Sequence, residues 1–157
     1  MLKKFFILLV AFALLSCSTT VKNITKNNFP KRGTLLVLPF ENLSQTPYAG
    51  FKAASVTEGV LRSYGYQTIK GYKELDGEFK AVNITDNSFE YIVKGRVVEW
   101  RYKTGIDGEP AVSLLVILED KSGDVLWSAV GGKSQWGHRS IAITAQQLIN
   151  DIFDDID

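Results

Sequence analysis

The N-terminal segment decides how much of this chain is available to form a folded domain. Two lysines precede an apolar run of 11 residues, Phe5–Leu15, and Ser16 and Cys17 follow the run. A basic start, a short apolar stretch and a small residue before the cleavage site are typical of a secretory signal peptide. The run is too short for a membrane-spanning helix, which needs roughly 20 residues. We therefore expect residues 1–16 to be removed, which leaves 141 of the 157 residues.

The cysteine after this segment indicates how the mature chain is held. The sequence Leu14-Leu15-Ser16-Cys17 matches a bacterial lipobox, whose cysteine becomes the first mature residue and is acylated, palmitate being among its acyl chains. Cys17 is the only cysteine, so no disulfide or thiol cluster competes for it. Two or more acyl chains anchor a protein firmly, because each buried methylene is worth about 0.8 kcal/mol. An ordinary signal peptide with an incidental cysteine is the alternative.

The residue after the cysteine bears on the localisation. Ser18 stands where an aspartate would be the usual signal for retention in the inner membrane of enterobacteria. By resemblance to sorted lipoproteins in general, we expect a lipid-anchored protein of the outer membrane that faces the periplasm.

The mature composition limits the number of domains and the class of partner. A chain of 141 residues suffices for one domain with a proper core and is too short for two. Without the two N-terminal lysines, 16 basic side chains stand against 17 acidic ones. The mature chain therefore has no basic excess that would indicate nucleic-acid binding. It also has no second apolar run that would indicate a membrane-spanning segment. We predict that residues 17–33 form a flexible tether, which could reach about 50 Å when extended, and that residues 34–157 form the domain.

The apolar periodicity of the domain begins with a β-α-β unit. Residues 34–40 are apolar on both faces, which predicts a buried central strand. A helix is expected over about 48–64, with Thr46 as its N-cap and Gly65 as its end. Residues 66–69 predict a short strand.

Three strands and a helix are expected in the second half of the chain. A short helix is expected around residues 73–79, and a helix begins near Ser140. Between them, two glycine turns predict hairpins that link strands over residues 91–102, 111–119 and about 124–133. Together these elements predict a single-domain α/β sandwich in which helices pack against a mixed β-sheet.

Two features inside these strands suggest close packing. Gly131 and Gly132 are expected to let another backbone approach. Trp100 and Trp127 are expected in the core or in a subunit interface.

Few residues are available for catalysis. His138 is the only histidine, and no nucleophile elbow of the G-x-S-x-G type occurs. A metal site would need His138 together with carboxylates at spacings that the sequence does not show. The carboxylate pairs lie at hairpin ends, where solvated side chains are the ordinary expectation; these pairs are Asp107 with Glu109 and Glu119 with Asp120. We predict no catalytic site, no metal and no cofactor.

The loop of residues 134–140 contains the most distinctive side chain. Trp136 stands beside a glycine in a polar segment. The indole ring is favoured where apolar and aqueous regions meet, which predicts an anchor at a membrane interface. The alternative is that Trp136 folds back over the core. His138 and Arg139 could meet lipid headgroups or be solvated loop residues.

Several segments resemble one family. Val37–Ser44 resembles the first strand and loop of the CsgG-like periplasmic lipoproteins, which include the curli secretion channel, the peptidoglycan-synthase activator LpoB and PelC-like exopolysaccharide export proteins. Tyr102–Val112, Leu126–Ser128 and Ser134–Ser140 resemble the PelC-like members most. The likeness covers about residues 34–153, so it implies a CsgG-like α/β domain.

The resemblance also implies a function. PelC-like proteins form a homo-oligomeric ring beneath the outer membrane at the entrance of a β-barrel exporter, where an acidic surface attracts a cationic polysaccharide. Carried onto this chain, Trp136 is the residue that contacts the membrane. The candidates for the acidic surface rest on composition alone, and a solvated C-terminus is the alternative; they are Asp151, Asp154, Asp155 and Asp157.

Other functions predict other sequence features. An LpoB-like activator of a peptidoglycan synthase is the main alternative, but it must cross the periplasm and typically has a long Pro-rich or disordered linker. A curli-type pore needs long amphipathic hairpins, for which 141 residues leave no room. An enzyme is the most remote alternative, since the chain has few candidate catalytic residues.

Overall fold

The computed structural model describes residues 19–23, 29–76, 78–82, 84, 88–102, 108–136 and 139–156. The elements in these ranges are β1 (Thr19–Asn23), β2 (Thr34–Val37), β3 (Glu41–Asn42), α1 (Ala49–Ser63), β4 (Gln67–Lys70), β5 (Tyr72–Leu75), β6 (Glu78–Ala81), β7 (Tyr91–Tyr102), β8 (Pro110–Asp120), β9 (Val125–Ser134) and α2 (Ile141–Phe153). A single turn of 3-10 helix, Asp154–Ile156, follows α2.

The main sheet is mixed, with the strand order β1-β9-β8-β7-β2-β4. Strands β7, β8, β9 and β1 pair antiparallel, whereas β2 pairs parallel with both β7 and β4. The short strand β3 also pairs with β7, further along the same edge. Gly108 and Gly123 have φ values of 50° and 92°, which suits the turn positions that the sequence predicted. The predicted single α/β domain with a mixed sheet is confirmed, while the grouping with CsgG and LpoB stays a prediction.

The two helices pack against each other and against the sheet. Strand β8 shows the periodicity that this packing demands, because its alternate apolar side chains are buried; these are Val112, Leu114, Val116 and Leu118. From the opposite side of the core come Leu148, Ile149 and Ile152 of α2, which are fully buried. The core therefore lies between one face of the sheet and the helix pair.

The predicted burial of two tryptophans is confirmed. Trp100 and Trp127 are each 3% exposed. The Trp127 ring stacks on Phe153 at a centroid distance of 5.5 Å, and Phe29 meets both rings edge-on. Phe29 thus ties the chain before β2 to the end of α2.

The space at Gly131 is used by a helix. A Cβ atom there would lie 2.9 Å from Leu148 Cδ1 and 3.2 Å from Ile152 Cδ1, so the ends of these two side chains would have to shift to admit it. Another backbone also approaches, since Val21 of β1 pairs with Gly131. The prediction of a close approach was therefore incomplete, because it omitted the side chains of α2.

Helix α1 has its predicted extent to within one residue, but its N-cap differs from the predicted one. Its N-cap is Tyr48, which has a left-handed backbone (φ 60°) and makes no side-chain capping bond. Thr46 was the predicted N-cap, but its hydroxyl donates to the backbone oxygen of Trp100 and so ties this loop to β7. The predicted end is correct, because Gly65 follows the helix with φ 89°.

Two local predictions are wrong. Residues 73–79 were expected to include a short helix, but β5 and β6 form an antiparallel hairpin whose turn contains Asp76 at φ 54°. The stacking of Phe79 on Phe51 of α1 favours this arrangement (5.3 Å between ring centroids). Residues 17–33 were expected to be a flexible tether, but Thr19–Asn23 pairs with β9 as an edge strand. The predicted start of the mature chain at Cys17 lies outside the described residues.

Candidate functional site

The acidic, histidine and cysteine side chains of the described residues do not gather into a metal site. No group of three or more His, Cys, Asp or Glu side chains in these ranges could hold a metal ion. Two of the residues that the sequence singled out, Cys17 and His138, lie outside them. Among the described helices, none is both long and apolar enough to cross a membrane. Two sets of surface side chains, one at each end of the sheet, are candidate functional features.

One end of the sheet exposes a large aromatic side chain. Trp136 follows the last residue of β9 by two positions, and 71% of its surface is exposed. The alternative in which the indole folds over the core does not describe this structure. Contact of Trp136 with a membrane stays a prediction.

The residue before Trp136 is held on two sides. The backbone N–H of Gln135 donates to Pro110 O at 3.2 Å, which extends the pairing of β9 with β8 by one residue. The buried side chain of Gln135 accepts from Thr144 Oγ1 at 3.0 Å and donates through Nε2 to Gln147 Oε1. Because a buried amide without partners would be costly, these bonds fix the base of the loop to α2.

The other end of the loop is held by Tyr102. Its hydroxyl accepts a hydrogen bond from the backbone N–H of Ile141 at 3.1 Å. Helix α2 begins near Ser140, as predicted; Ser140 is its N-cap, and the Ser140 Oγ accepts from Ile143 N at 3.2 Å. The loop that contains Trp136 is therefore fixed at both ends to the strands and to α2.

Further exposed side chains lie at this end, which we call the aromatic end; its members are Trp136, Tyr102, Ile143, Arg101 and Arg139. Tyr102 is half exposed, and Arg101 forms an ion pair of 2.9 Å with Glu99. Membrane interfaces favour indole and phenol side chains, because each has an apolar ring and a polar group. Guanidinium groups nearby suit the same region, because they bind lipid phosphate. No role was predicted for the Tyr102 side chain. The signal that could have indicated a role is an aromatic residue at the last position of a predicted strand.

The predicted acidic residues occupy different surroundings. Asp151 forms an ion pair of 2.8 Å with Lys133, whose side chain is only 10% exposed. Lys133 therefore neutralises much of the charge of Asp151. Asp154 accepts a hydrogen bond of 3.1 Å from the Tyr64 hydroxyl. The side chain of Asp155 and the whole of Asp157 lie outside the described residues.

Three acidic side chains lie at the opposite end of the sheet, where the basic residues Lys31, Arg32 and Lys121 also lie. Asp120 and Asp124 flank the turn between β8 and β9, and Asp154 follows the end of α2. Because β9 starts at this turn and ends just before Trp136, these carboxylates and the aromatic end lie at opposite ends of the sheet. We call these three residues the acidic end. Asp120 was predicted to be a solvated turn residue, and no role was predicted for Asp124.

The Asp120 carboxylate is held in its ionised form. Ser122 Oγ donates to Oδ1 at 2.6 Å, and the backbone N–H groups of Ser122 and Asp124 donate to the same oxygen at 2.9 and 3.0 Å. These hydrogen bonds, the Ser122 hydroxyl first among them, lower the pKa of Asp120 below its ordinary value of 3.8. Asp120 therefore keeps its negative charge at any physiological pH.

The fold and this surface define a class: a small α/β domain with a mixed sheet and a helix pair, which exposes aromatic and acidic groups at opposite ends. Known structures match its fold. The PelC dodecamer from Paraburkholderia phytofirmans has a TM-score of 0.72 and 28% sequence identity, and the match covers 87% of this chain and 95% of the solved one. A point variant of that dodecamer gives 0.69 and 30% at the same coverage. The chain belongs to the PelC family.

A more distant structure shares the fold alone. Lipoprotein GNA1162 from Neisseria meningitidis is 19% identical, with a TM-score of 0.56, and the match covers 78% of this chain and 96% of that one. No protein-family model and no curated protein matches the chain.

Proposed function

We propose that this protein is a non-catalytic, lipid-anchored subunit of an exopolysaccharide export apparatus of the Pel type. The single observation that supports this most is the match at up to 30% identity to 95% of a PelC chain solved as a dodecamer. The subunit assembles as a homo-oligomeric ring on the periplasmic face of the outer membrane. It surrounds the entrance of a β-barrel exporter.

Membrane attachment in this proposal has two parts. Acylation of Cys17, predicted from the lipobox, supplies the anchor. Trp136 supplies a contact with the bilayer interface, which its exposure and the fixed base of its loop support. A ring carries one such indole per subunit, so a modest binding free energy for each indole adds up to strong attachment of the whole ring to the membrane.

The acidic end supplies the attraction for the polysaccharide. A partly deacetylated polysaccharide carries ammonium groups, and exposed carboxylates attract them over about one Debye length, roughly 8 Å at physiological salt. Asp120, Asp124 and Asp154 suit this role because they lie away from the aromatic end. Asp151 suits it less, since it is paired with Lys133.

Deletion of the gene and complementation test this function. We expect the deletion strain to lose exported polysaccharide while peptidoglycan synthesis is unchanged, and the extracted lipoprotein to give an oligomer by native mass spectrometry. Normal export together with reduced activity of a peptidoglycan synthase would contradict the proposal and would favour the LpoB-like alternative. A strict monomer at high concentration and on lipid vesicles would contradict the ring.

A further inference from the structure

Strand β1 begins at the aromatic end. It pairs antiparallel with β9, from Thr19 opposite Lys133 to Asn23 opposite Ala129. Since β9 ends at Ser134, the first residue of β1 lies beside the end of β9, shortly before Trp136. The direction of pairing thus brings the N-terminal side of the chain to the end of the sheet that exposes the indole.

The pairing is supported by contacts on both sides of β1. Val21 packs against the core and lies opposite Gly131, whose missing side chain lets α2 pack close to this edge of the sheet. After β1, Phe29 is fixed by three aromatic rings at centroid distances of 5.3 to 5.5 Å; these are Trp127, Phe153 and Tyr66. The chain is therefore held before and after the segment 24–28.

This pairing shortens the effective tether. Cys17 precedes Thr19 by two residues, and two residues of extended chain span at most about 7 Å. A tether that is free from residue 17 to residue 33 would reach about 50 Å. The residue that bears the lipid is therefore confined near the aromatic end by covalent length alone.

We infer that β1 is a strap that orients the domain on the bilayer. With the acyl anchor and Trp136 at the same end of the sheet, attachment occurs at two neighbouring points, and the high effective concentration of the membrane at Trp136 favours its insertion. The same geometry turns the acidic end away from the membrane. The partner of this surface is the headgroup region of a phospholipid bilayer. The inference rests on the acylation and the membrane contact given under the proposed function.

Two insertions of the same Gly/Ser segment separate a strap from a free tether. One, of about twelve residues, is placed between Ser18 and Thr19, which lengthens the path from the lipid to β1 by about 19 Å on average. The matched control is placed after Thr25, which leaves that path unchanged if β1 stays paired. The full lipoproteins are extracted and reconstituted into phospholipid vesicles that contain brominated lipid. Quenching of Trp136 is obtained by difference from the corresponding Trp136→Phe proteins, because Trp100 and Trp127 are buried.

We expect the first insertion to reduce the quenching of Trp136 by about twofold or more, and the control to match the parent. Equal loss in both proteins, or no loss in either, would overturn the strap while leaving the membrane contact intact. Failure of the parent to float with vesicles would instead contradict acylation. A parent that floats without quenching of Trp136 would contradict the membrane contact itself.

Discussion

The hydroxyl of Thr144 donates a hydrogen bond of 3.0 Å to the side-chain oxygen of Gln135, the residue immediately before Trp136. Thr144 is fully buried and Gln135 is 7% exposed. The bond therefore joins α2 to the end of β9 in a setting where water cannot replace it. It holds a polar side chain inward at the position next to an exposed indole.

Removing this hydroxyl should destabilise the domain. Thr144→Val leaves the shape similar but takes a donor from a buried amide, so the free energy of unfolding should fall by about 1–3 kcal/mol. A matched control exists in Thr57, which is also fully buried and whose hydroxyl has no hydrogen-bond partner among the described residues. Thr57→Val should be neutral or slightly stabilising. Urea denaturation of the two variants checks both expectations. Equal losses of unfolding free energy in the two variants would contradict a stabilising role for the bond to Gln135.

The pairing of β1 with β9 predicts a specific cross-link. Lys22 and Val130 are Cα partners on the exposed edge of the sheet. If the proposed thioether-linked lipid blocks the sulfur of Cys17, Lys22→Cys and Val130→Cys provide the only two free thiols, and they should form a disulfide under mild oxidation. The control combines Lys22→Cys with Ser128→Cys, which is displaced by two residues. Intact mass under oxidising conditions measures the bond, and equal yields from the two pairs would contradict the register.

The lowered pKa of Asp120 predicts a dependence of stability on pH. Because the pKa in the folded state lies below the ordinary value of 3.8, ionised Asp120 stabilises the folded state above about pH 4, and this contribution is lost as pH falls through the folded pKa. The stability difference between the parent and Asp120→Asn should therefore be constant from about pH 5 to 7 and should shrink below about pH 4. Denaturation curves across this range measure it. A difference that is the same at pH 3 and pH 7 would mean that these hydrogen bonds do not depend on the charge.

The elements that the sequence predicted well are those with local signals. Strands β7, β8 and β9 combine apolar or β-branched runs with glycine turns, so their bounds came within a residue or two. Strand β1 is polar and was missed, because its pairing depends on Gly131, more than a hundred residues away. The hairpin of β5 and β6 was missed because the contact of Phe79 with Phe51 is not visible in a local pattern.

The same distinction applies to the candidate site. Trp136 was predicted to lie in a loop because its neighbours are polar, whereas its exposure depends on how Gln135 and Tyr102 hold that loop. The acidic residues were chosen from composition, which could not reveal that Asp151 pairs with Lys133. It also could not reveal that Asp124 lies at the same end as Asp154.

Cys17→Ser should release the protein from the membrane. A serine cannot receive the thioether-linked lipid, so the variant should leave the outer-membrane fraction. Ser16→Ala is the control, since it keeps a small residue before the cleavage site. Fractionation after a salt wash measures the distribution. A Cys17→Ser protein that still sediments with membranes would show that the lipobox assignment is wrong.

Trp136→Ala should leave the stability of the domain almost unchanged. Its ring is 71% exposed, so the loss should be below about 0.5 kcal/mol. Trp127→Ala, in the core, should cost about 3–5 kcal/mol. Thermal unfolding of the two variants makes the comparison. A large loss for Trp136→Ala would mean that the residue is packed against the protein rather than available to a membrane.

The most direct test of the membrane role is the amount of polysaccharide exported by a deletion strain whose only copy carries Trp136→Ala, at equal levels of lipoprotein in the outer membrane. Because the substitution removes the interfacial contact and leaves folding and acylation intact, export should fall close to the level of the deletion strain. Export at the parental level from the same amount of membrane-bound protein would contradict a role for Trp136 at the membrane.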